Sequence, residues 1–222
     1  MNRGLDRLSD ALRRYGPAGL VSRAAVRGTQ LVFLREAHIW YTLDLRGERP
    51  KRALPDGFRL HTATPADTPA VAELPNQARE AILRERVAGP VDIYVVSEGD
   101  TPAFACSVFR ERTPVATARG GWLELPRETV CIEDSGTSSE FRGRGLAPGA
   151  WAAIADDLEG RGFETMITKV AVDNEPSRRA VTKAGFREGT EMRTRRTGPR
   201  TRYAFTPLGA PGAEFVSKSL SR

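Results

Sequence analysis

The stretch from Glu140 to Ala147, with the sequence Glu-Phe-Arg-Gly-Arg-Gly-Leu-Ala, constrains the fold more than any other part of the chain. A run rich in strand-forming residues, Val130 to Ser135, precedes it, and a helical pattern follows. The sequence therefore predicts a strand, a glycine turn and the start of a helix. Such a turn brings main-chain N–H groups together with little side-chain obstruction, and the helix dipole adds about half a positive charge. We expect a phosphate-binding site here.

The composition is that of a globular protein with one main domain. The chain has 222 residues, of which 40% are hydrophobic and 28% charged, enough for one full core. No apolar run approaches the roughly 20 residues that span a bilayer, and the N-terminus lacks the apolar core of a secretion signal. We expect a cytoplasmic protein without membrane association.

Cysteine and histidine usage argues against a metal site. Cys106 and Cys131 are the only cysteines, and they lie in strand-like segments that suit reduced core thiols better than a disulfide. His38 and His61 are the only histidines. We therefore expect no bound metal.

The net charge of +6 is concentrated in the first quarter of the chain. Residues 1–52 carry 11 basic and 5 acidic side chains, whereas residues 53–222 carry 23 of each sign. A nucleic-acid-binding protein should carry its positive surface on the folded domain. We therefore expect no nucleic-acid partner.

The N-terminal quarter is predicted to form an extension, residues 1–52, with two helices near 3–14 and 18–27 and a strand-like segment at 31–45. Residues 47–55 are predicted to be a linker. Packing on a sheet edge, dimerisation and binding to anionic lipid are alternative roles for the basic extension. We favour packing or dimerisation, which leaves a homodimer open.

The remainder is predicted to be a main domain at residues 53–208, followed by a flexible tail at residues 209–222. Strands and helices alternate in the main domain, which indicates a mixed α/β fold. The expected strands are residues 57–62, 91–96, 103–110, 129–137, 163–172, 186–195 and 200–205. The expected helices begin near Pro65 and at residues 76, 146 and 175.

A second element follows the glycine turn along the chain. It consists of Val172-Asp173-Asn174-Glu175-Pro176-Ser177 and, after a short gap, Lys183-Ala184-Gly185-Phe186. A glycine turn alone is common between strands and helices. The second element, at its spacing from the turn, makes the pattern specific.

Together the two elements resemble the signature of the Gcn5-related N-acetyltransferase (GNAT) superfamily. The family has Gln/Arg-X-X-Gly-X-Gly/Ala at the start of a central helix, matched here by Arg142, Gly145 and Ala147. It also has a later strand ending in an asparagine and a Gly-Phe pair, matched by Asn174 and Gly185-Phe186. The resemblance covers roughly residues 57–206. It implies a mostly antiparallel twisted sheet of six to seven strands flanked by about four helices.

By this resemblance the co-substrate is acetyl-CoA or another acyl-CoA. The N–H groups of Gly143 to Pro148 are expected to hold its pyrophosphate, although Pro148 has no N–H to donate. The strand before the turn is expected to pair with the pantetheine arm, and Asn174 and Ser177 to contact the arm and the thiol end. The full expected set is Ser135, Gly136, Thr137, Arg142, Gly143, Arg144, Gly145, Leu146, Ala147, Pro148, Asn174 and Ser177.

The implied reaction is attack of an amine on a thioester, which requires a base because an alkyl ammonium titrates near 10.4. Glu133 is our candidate and Asp134 the reserve, and strand alternation predicts that they point to opposite faces. In family members with a similar Ile/Leu-Glu-Asp run, which include polyamine and glucosamine-phosphate acetyltransferases, the glutamate lies beside the acceptor amine. A purely structural ion pair with an arginine is the alternative.

One position departs from the family pattern. Many members have a tyrosine four residues before the Gly-Phe pair, where it protonates the leaving thiolate, and here Val181 occupies that position. Water, another side chain or no acid at all remain alternatives for this step.

The resulting expectation is acetyl transfer to a primary amine of a small molecule, such as an amino sugar or amino acid derivative. A protein N-acetyltransferase and a catalytically silent acyl-CoA-binding module are the alternatives. The arginine-rich segment 193–202 is either a clamp for an acidic acceptor or a solvated edge hairpin, and we favour the hairpin.

Overall fold

A computed structural model describes residues 33–198 and 200–221. The helices expected near residues 3–14 and 18–27 lie outside the described residues. The part of the chain that the structure describes has ten strands and five α-helices. The strands are β1 Phe33–Asp44, β2 Phe58–Thr62, β3 Val91–Glu98, β4 Thr101–Phe109, β5 Arg112–Pro114, β6 Trp122–Glu124, β7 Thr129–Thr137, β8 Thr165–Ala171, β9 Arg187–Thr197 and β10 Arg200–Pro207. The helices are α1 Thr68–Ala72, α2 Glu80–Val87, α3 Leu146–Gly160, α4 Glu175–Lys183 and α5 Glu214–Leu220.

The chain divides into two compact units. The larger unit, Ala37–Met192 with Phe205–Arg222, contains every residue of the expected site. The smaller unit, Met1–Glu36 with Arg193–Ala204, contains in its described part the first residues of β1 and the turn end of the β9–β10 hairpin.

Eight strands form one mixed sheet in the order β10-β9-β1-β8-β7-β4-β3-β2, and β5 and β6 form a separate antiparallel pair. The predicted α/β class is confirmed, with eight strands in the main sheet instead of six to seven. β7 and β8 run parallel, while β2, β3, β4 and β7 pair antiparallel in succession. β1 pairs antiparallel with β8 from His38↔Ala171 to Asp44↔Thr165, so part of the expected extension contributes a strand to this sheet.

Helices cover both faces of the sheet because each has one apolar side. On α3, Trp151, Ile154 and Leu158 recur at helical spacing and are buried in the main core. The Trp151 ring meets the ring of Phe104 edge-on at 6.3 Å and that of Phe186 at 6.2 Å. On the opposite face, α1 and α2 pack a smaller cluster against β3 and β4.

The expected linker lies against α3 and α4. The guanidinium of Arg49 pairs with Asp156 at 2.6 Å and with Glu159 at 2.7 Å. Arg52 Nε donates to the carbonyl of Lys183 at the end of α4, at 2.7 Å. These ion pairs and a helix-end contact hold a segment that its proline and charge content alone indicate as a linker.

The expected flexible tail contains helix α5. Gly209 and Gly212 adopt φ values of 108° and 98°, which redirect the chain ahead of the helix. Val216 is then fully buried, and this burial accounts for the order of a segment expected to be loose. None of the helices in the described part of the chain has the length and apolar character needed to cross a membrane.

Candidate active site

A β-bulge in β7 shapes the centre of the candidate site. Ser107 of β4 pairs with Glu133, but Ala105 pairs with Gly136, so two residues of β7 lie opposite one residue of β4. Asp134, one of the two, has a φ of 54°, in the left-handed region that aspartate tolerates better than most residues.

The bulge changes where the two acidic side chains point. Asp134 accepts a hydrogen bond from Arg86 Nη1 at 2.7 Å, and the same nitrogen donates to Ser107 Oγ at 2.9 Å. Ser107 is the cross-strand partner of Glu133, so the carboxylates of Glu133 and Asp134 lie on the same face, that of α2. The prediction that they point to opposite faces is wrong, because strand alternation does not continue through a bulge.

β7 and β8 form a fork. Their parallel pairing runs from Thr129↔Thr165 to Ile132↔Thr168 and stops there, although both strands continue. Glu133 and Lys169 are the next residues on the two strands, so they face each other where the strands begin to separate. Because the strands are parallel, the glycine turn after β7 and the start of α4 after β8 lie at the same end of the sheet.

Glu133 is paired with Lys169. Glu133 Oε1 accepts a hydrogen bond from Lys169 Nζ, and it also lies 3.4 Å from Thr113 Oγ1 and 3.5 Å from Cys131 Sγ. The side chains of Glu133 and Lys169 are only 12% and 17% exposed. The carboxylate thus sits in a small polar cluster with little access to water.

Burial raises the pKa of Glu133 above the usual range of a glutamate, even though the positive charge of Lys169 acts in the opposite direction. Burial also raises the pKa of the Cys131 thiol. The thiol is therefore a neutral neighbour of the Glu133 carboxyl group. A carboxylate with a raised pKa is better matched to accepting a proton from an amine.

Asp134 is held in a structural role by Arg86 and Ser107. The guanidinium of Arg86 also lies over the ring of Phe109, 5.1 Å from its centroid. This arrangement is the arginine ion pair considered as an alternative from sequence, and it involves the reserve residue rather than Glu133.

The glycine turn has the expected backbone geometry. Gly143 and Gly145 both have φ near 79°, a region open to glycine, and a Cβ at either residue would meet nothing within 4 Å. The turn is therefore open on the side where side chains would project. Phe141 anchors its start by packing edge-on against the Phe58 ring at 5.7 Å.

Helix α3 begins directly at this turn, with Gly145 as its N-cap and no capping side chain. The N–H of Gly149 donates to the carbonyl of Gly145 at 3.2 Å. The N–H groups of Leu146 and Ala147 precede that bond, and no acceptor is found for them among the described residues. Free N–H groups, a helix N-terminus and an unobstructed approach fit the pyrophosphate of an acyl-CoA.

The two arginines of the turn differ in their surroundings. Arg144 lies 3.6 Å from Glu98 and over the Phe141 ring, with its Cζ 5.1 Å from the centroid. Arg142 is exposed, and its Nε lies 3.4 Å from the carbonyl of Thr137. Pro148 is the third residue of α3, where a missing N–H leaves no helical bond unmade.

The expected pantetheine-binding stretch of β7 is braced by the loop between α1 and α2. Asn76 Nδ2 donates to the carbonyl of Ser135 at 3.1 Å, and Gln77 Nε2 donates to the carbonyl of Asp134. A Cβ added to Gly136 would lie 1.7 Å from the carbonyl oxygen of Pro75. This strand segment can only be as close to the loop as it is because residue 136 is glycine.

Asn174 caps helix α4, since its Oδ1 accepts a hydrogen bond from the N–H of Ser177 at 3.2 Å. Its side-chain oxygen therefore has a structural partner. Val181 is buried in the main core at 1% exposure. The position where many family members have a tyrosine thus contributes packing here.

Lys169 is the site residue that sequence reasoning missed. It lies 36 positions from Glu133, and nothing in the local sequence links the two. The available signal was a lysine in the middle of an otherwise uncharged strand, Thr-Met-Ile-Thr-Lys-Val-Ala, in a chain with only four lysines. A lone charge there indicates a paired or functional residue.

A model of the acetyltransferase (GNAT) family matches residues 68–186, which include β7, the glycine turn, α3, β8 and α4. The chain belongs to the GNAT family. Membership supports acyl transfer as the general activity, with an acyl-CoA as co-substrate. No curated protein matches the chain. Within the described residues, no group of three or more histidine, cysteine, aspartate or glutamate side chains is arranged to hold a metal ion.

Solved structures share this GNAT fold at low sequence identity. A Drosophila protein from a structural genomics consortium is 14% identical, with a TM-score of 0.54, over 83% of this chain and 58% of its own. A GCN5-related N-acetyltransferase from Sphaerobacter thermophilus is 16% identical, with a TM-score of 0.52, over 94% of this chain and 70% of its own. A tandem GNAT protein from the clavulanic acid biosynthesis pathway is 18% identical, with a TM-score of 0.51, over 87% of this chain and 60% of its own. The chain spans less than two thirds of the first and third of these proteins.

Proposed function

We propose that the protein is an acetyl-CoA-dependent N-acetyltransferase that acts by direct attack of a small-molecule primary amine on the thioester. Amino sugars and amino acid derivatives are the proposed acceptor class. The open glycine turn is proposed to hold the pyrophosphate, and β7 beyond the fork, at Ser135, Gly136 and Thr137, to receive the pantetheine arm. Asn174 and Ser177 are proposed to border the arm from α4.

The observation that carries the proposal is a buried carboxylate at the fork, on the strand that leads into the glycine turn. Glu133 is 12% exposed, and burial raises its pKa. A base in this position can take the proton that an attacking amine must lose. Asp134 is not proposed as the base, because its carboxylate is bound to Arg86 at 2.7 Å.

A catalytically silent acyl-CoA-binding module is the second candidate, and one contact favours it. Lys169 Nζ already occupies a hydrogen-bonding position on Glu133, which would compete with an acceptor amine for the same carboxylate. In that case the glycine turn would bind the co-substrate without any transfer.

Release of free thiol from acetyl-CoA, measured with a thiol reagent, distinguishes these candidates. The protein is incubated with acetyl-CoA and three separate sets of acceptors: amino sugars, amino acid derivatives, and peptides with free N-termini and lysines. We expect saturable thiol release with a small-molecule set at a turnover on the order of 1 s⁻¹ or above.

The same acceptor sets give the results that would contradict the proposed function. Release with peptides alone would replace the proposal with a protein N-acetyltransferase. Binding of acetyl-CoA without release in any set would support the silent module. Mass spectrometry of the acetylated product confirms that thiol release reflects transfer rather than hydrolysis.

A further inference from the structure

The pair formed by Lys169 and Glu133 occupies the branch point of the fork. Thr168 and Ile132 are the last paired residues of the two parallel strands, and Lys169 and Glu133 directly follow them. Up to this point the two strands are paired by backbone hydrogen bonds, and beyond it they separate. These two side chains therefore border the closed end of the gap between the strands.

Lys169 is positioned from three neighbouring strands. Its Nζ donates to Glu133 of β7 and to the carbonyl of Pro114 of β5, the latter at 3.1 Å. The same nitrogen lies 5.4 Å from the centroid of the Trp40 ring of β1, which is fully buried. A carboxylate, a carbonyl oxygen and an aromatic face thus surround the ammonium group, and these contacts fix the side chain in place.

The titratable groups around this ammonium are few. β7 contributes Glu133 and the Cys131 thiol, whose pKa is raised by burial. α2 contributes Arg86, which is bound to Asp134. β1 and β5 contribute the Trp40 ring, the hydroxyl of Thr113 and the carbonyl of Pro114, and His38 lies two residues before Trp40 on the same face of β1. Glu133 is thus the one described partner with which Lys169 can exchange a proton directly.

The overall reaction ends with a proton on the leaving sulfur, and the tyrosines of the larger unit are hydrogen-bonded elsewhere. Tyr94 Oη is bonded to Asp157 and, at 2.9 Å, to Arg161. Tyr41 Oη donates to Glu188 at 3.0 Å and accepts from Arg178 at 3.2 Å. Val181 has no proton to give and is buried in the core.

We propose that Lys169 is a catalytic residue that donates its proton to the departing CoA sulfur and regains one from Glu133. This inference rests on the proposed N-acetyltransferase function. The amine attacks in its neutral form, after its ammonium proton has been released to solvent; its nitrogen forms a bond to the thioester carbon, and the proton that the nitrogen then loses moves to Glu133. As the carbon–sulfur bond breaks, Lys169 Nζ protonates the sulfur, and the proton on Glu133 then passes to Nζ. The products are an amide and a neutral thiol, and both side chains return to their starting states.

In model compounds the lysine ammonium and the tyrosine hydroxyl titrate near 10.4 and 10, so a lysine is chemically as suitable a proton donor to a thiolate as a tyrosine. Before it gives up its proton, the ammonium also stabilises negative charge that develops on the sulfur. Lys169 therefore has two separable effects, a fixed positive charge and a transferable proton.

The first test measures the fixed charge without turnover. The pKa of the CoA thiol bound to the whole protein is followed through the ultraviolet absorbance of the thiolate. In the wild type it should lie below the value of about 8.5 for a free thiol. In Lys169→Met it should rise by about 1 to 3 units, the range for loss of an opposite charge nearby. Lys218→Met, which removes an exposed lysine on α5, is the matched control and should leave it unchanged.

The second test separates the charge from the proton and remains informative if Lys169→Met does not fold. Lys169→Arg retains the positive charge, but a guanidinium cannot be deprotonated in proteins. We expect the bound thiol to keep its lowered pKa in this variant, and turnover to fall by about 10²-fold or more, as for loss of a general acid.

The outcomes distinguish this inference from the function on which it rests. An identical bound-thiol pKa in the wild type and Lys169→Met, or wild-type turnover in Lys169→Arg, overturns the role of Lys169 while acetyl transfer stands. If the wild type does not bind CoA at all, the proposed function fails, and this inference fails with it.

Discussion

Two opposing effects act on the carboxyl group of Glu133. Burial raises its pKa, and the ammonium of Lys169 lowers it, with burial the larger effect. The group is ionised above this raised pKa and neutral below it. Because only the ionised form can accept a proton, titration of Glu133 should contribute to the loss of activity on the acidic side.

The pH dependence of kcat at saturating amine tests the role of Glu133. We expect an acidic limb with an apparent pKa above the ordinary glutamate value of about 4.3, since kcat reports groups of the enzyme–substrate complex. Glu133→Gln should remove this limb and lower kcat by about 10² to 10⁴-fold, with the affinity for acetyl-CoA unchanged.

Glu128→Gln is the matched control, since Glu128 is exposed at the turn before β7. It should retain both the acidic limb and the wild-type kcat. A Glu133→Gln variant with an unaltered pH profile would assign the base to another residue.

For individual residues, the sequence predicted those whose role depends on backbone conformation. It did not predict side-chain pairs between residues that are distant in the sequence. The glycines at 143 and 145 were predictable because their positive φ values follow from a turn between strand and helix. The pairing of Lys169 with Glu133 depends on two strands lying side by side and has no local sequence signal. The same holds for the Asp134–Arg86 pair.

At the scale of elements, the bulge in β7 and the loop that braces it act together. Gln77 Nε2 bonds the carbonyl of Asp134 in β7 and, at 3.2 Å, that of Ala105 in β4, so one amide bridges both strands where the ladder opens. Gly136 allows the loop to approach this closely. The position of Glu133 therefore depends on a contact made three residues further along its strand.

Gly136→Ala tests this contact. The added Cβ would lie 1.7 Å from the backbone oxygen of Pro75, which cannot move as a side chain can. We expect a loss of about 3 kcal/mol in the free energy of unfolding, at the upper end of overpacking effects. Denaturant unfolding followed by circular dichroism measures it.

Gly160→Ala, at the last residue of α3, supplies the comparison, because a Cβ there meets nothing within 4 Å. It should change the unfolding free energy by less than about 1 kcal/mol. Equal effects of the two substitutions would show that the loop does not brace the bulge.

Most elements were predictable from period and propensity. β2, β3, β4, β7, β8 and the main helices lie within a few residues of their expected positions, because each has a clear apolar pattern. β5 and β6 were missed because three residues carry too little pattern to identify a strand. The bulge was missed because an aspartate in the left-handed region leaves no glycine to mark it.

At the scale of the whole molecule, α/β class and family were available from the sequence, whereas the order of the strands was not. β1 comes from a segment without family resemblance, yet it lies between β8 and β9. Strand order depends on long-range pairing, and a single sequence holds little information about it.

Calorimetric titration with acetyl-CoA tests the central claim that the glycine turn holds an acyl-CoA. The wild type should bind with a saturable heat, and Gly145→Glu should abolish it, because a carboxylate at this turn repels phosphate and a side chain is strained at a φ of 79°. Gly160→Glu adds the same charge at the opposite end of α3 and should bind like the wild type. Binding that survives in Gly145→Glu would contradict the claim.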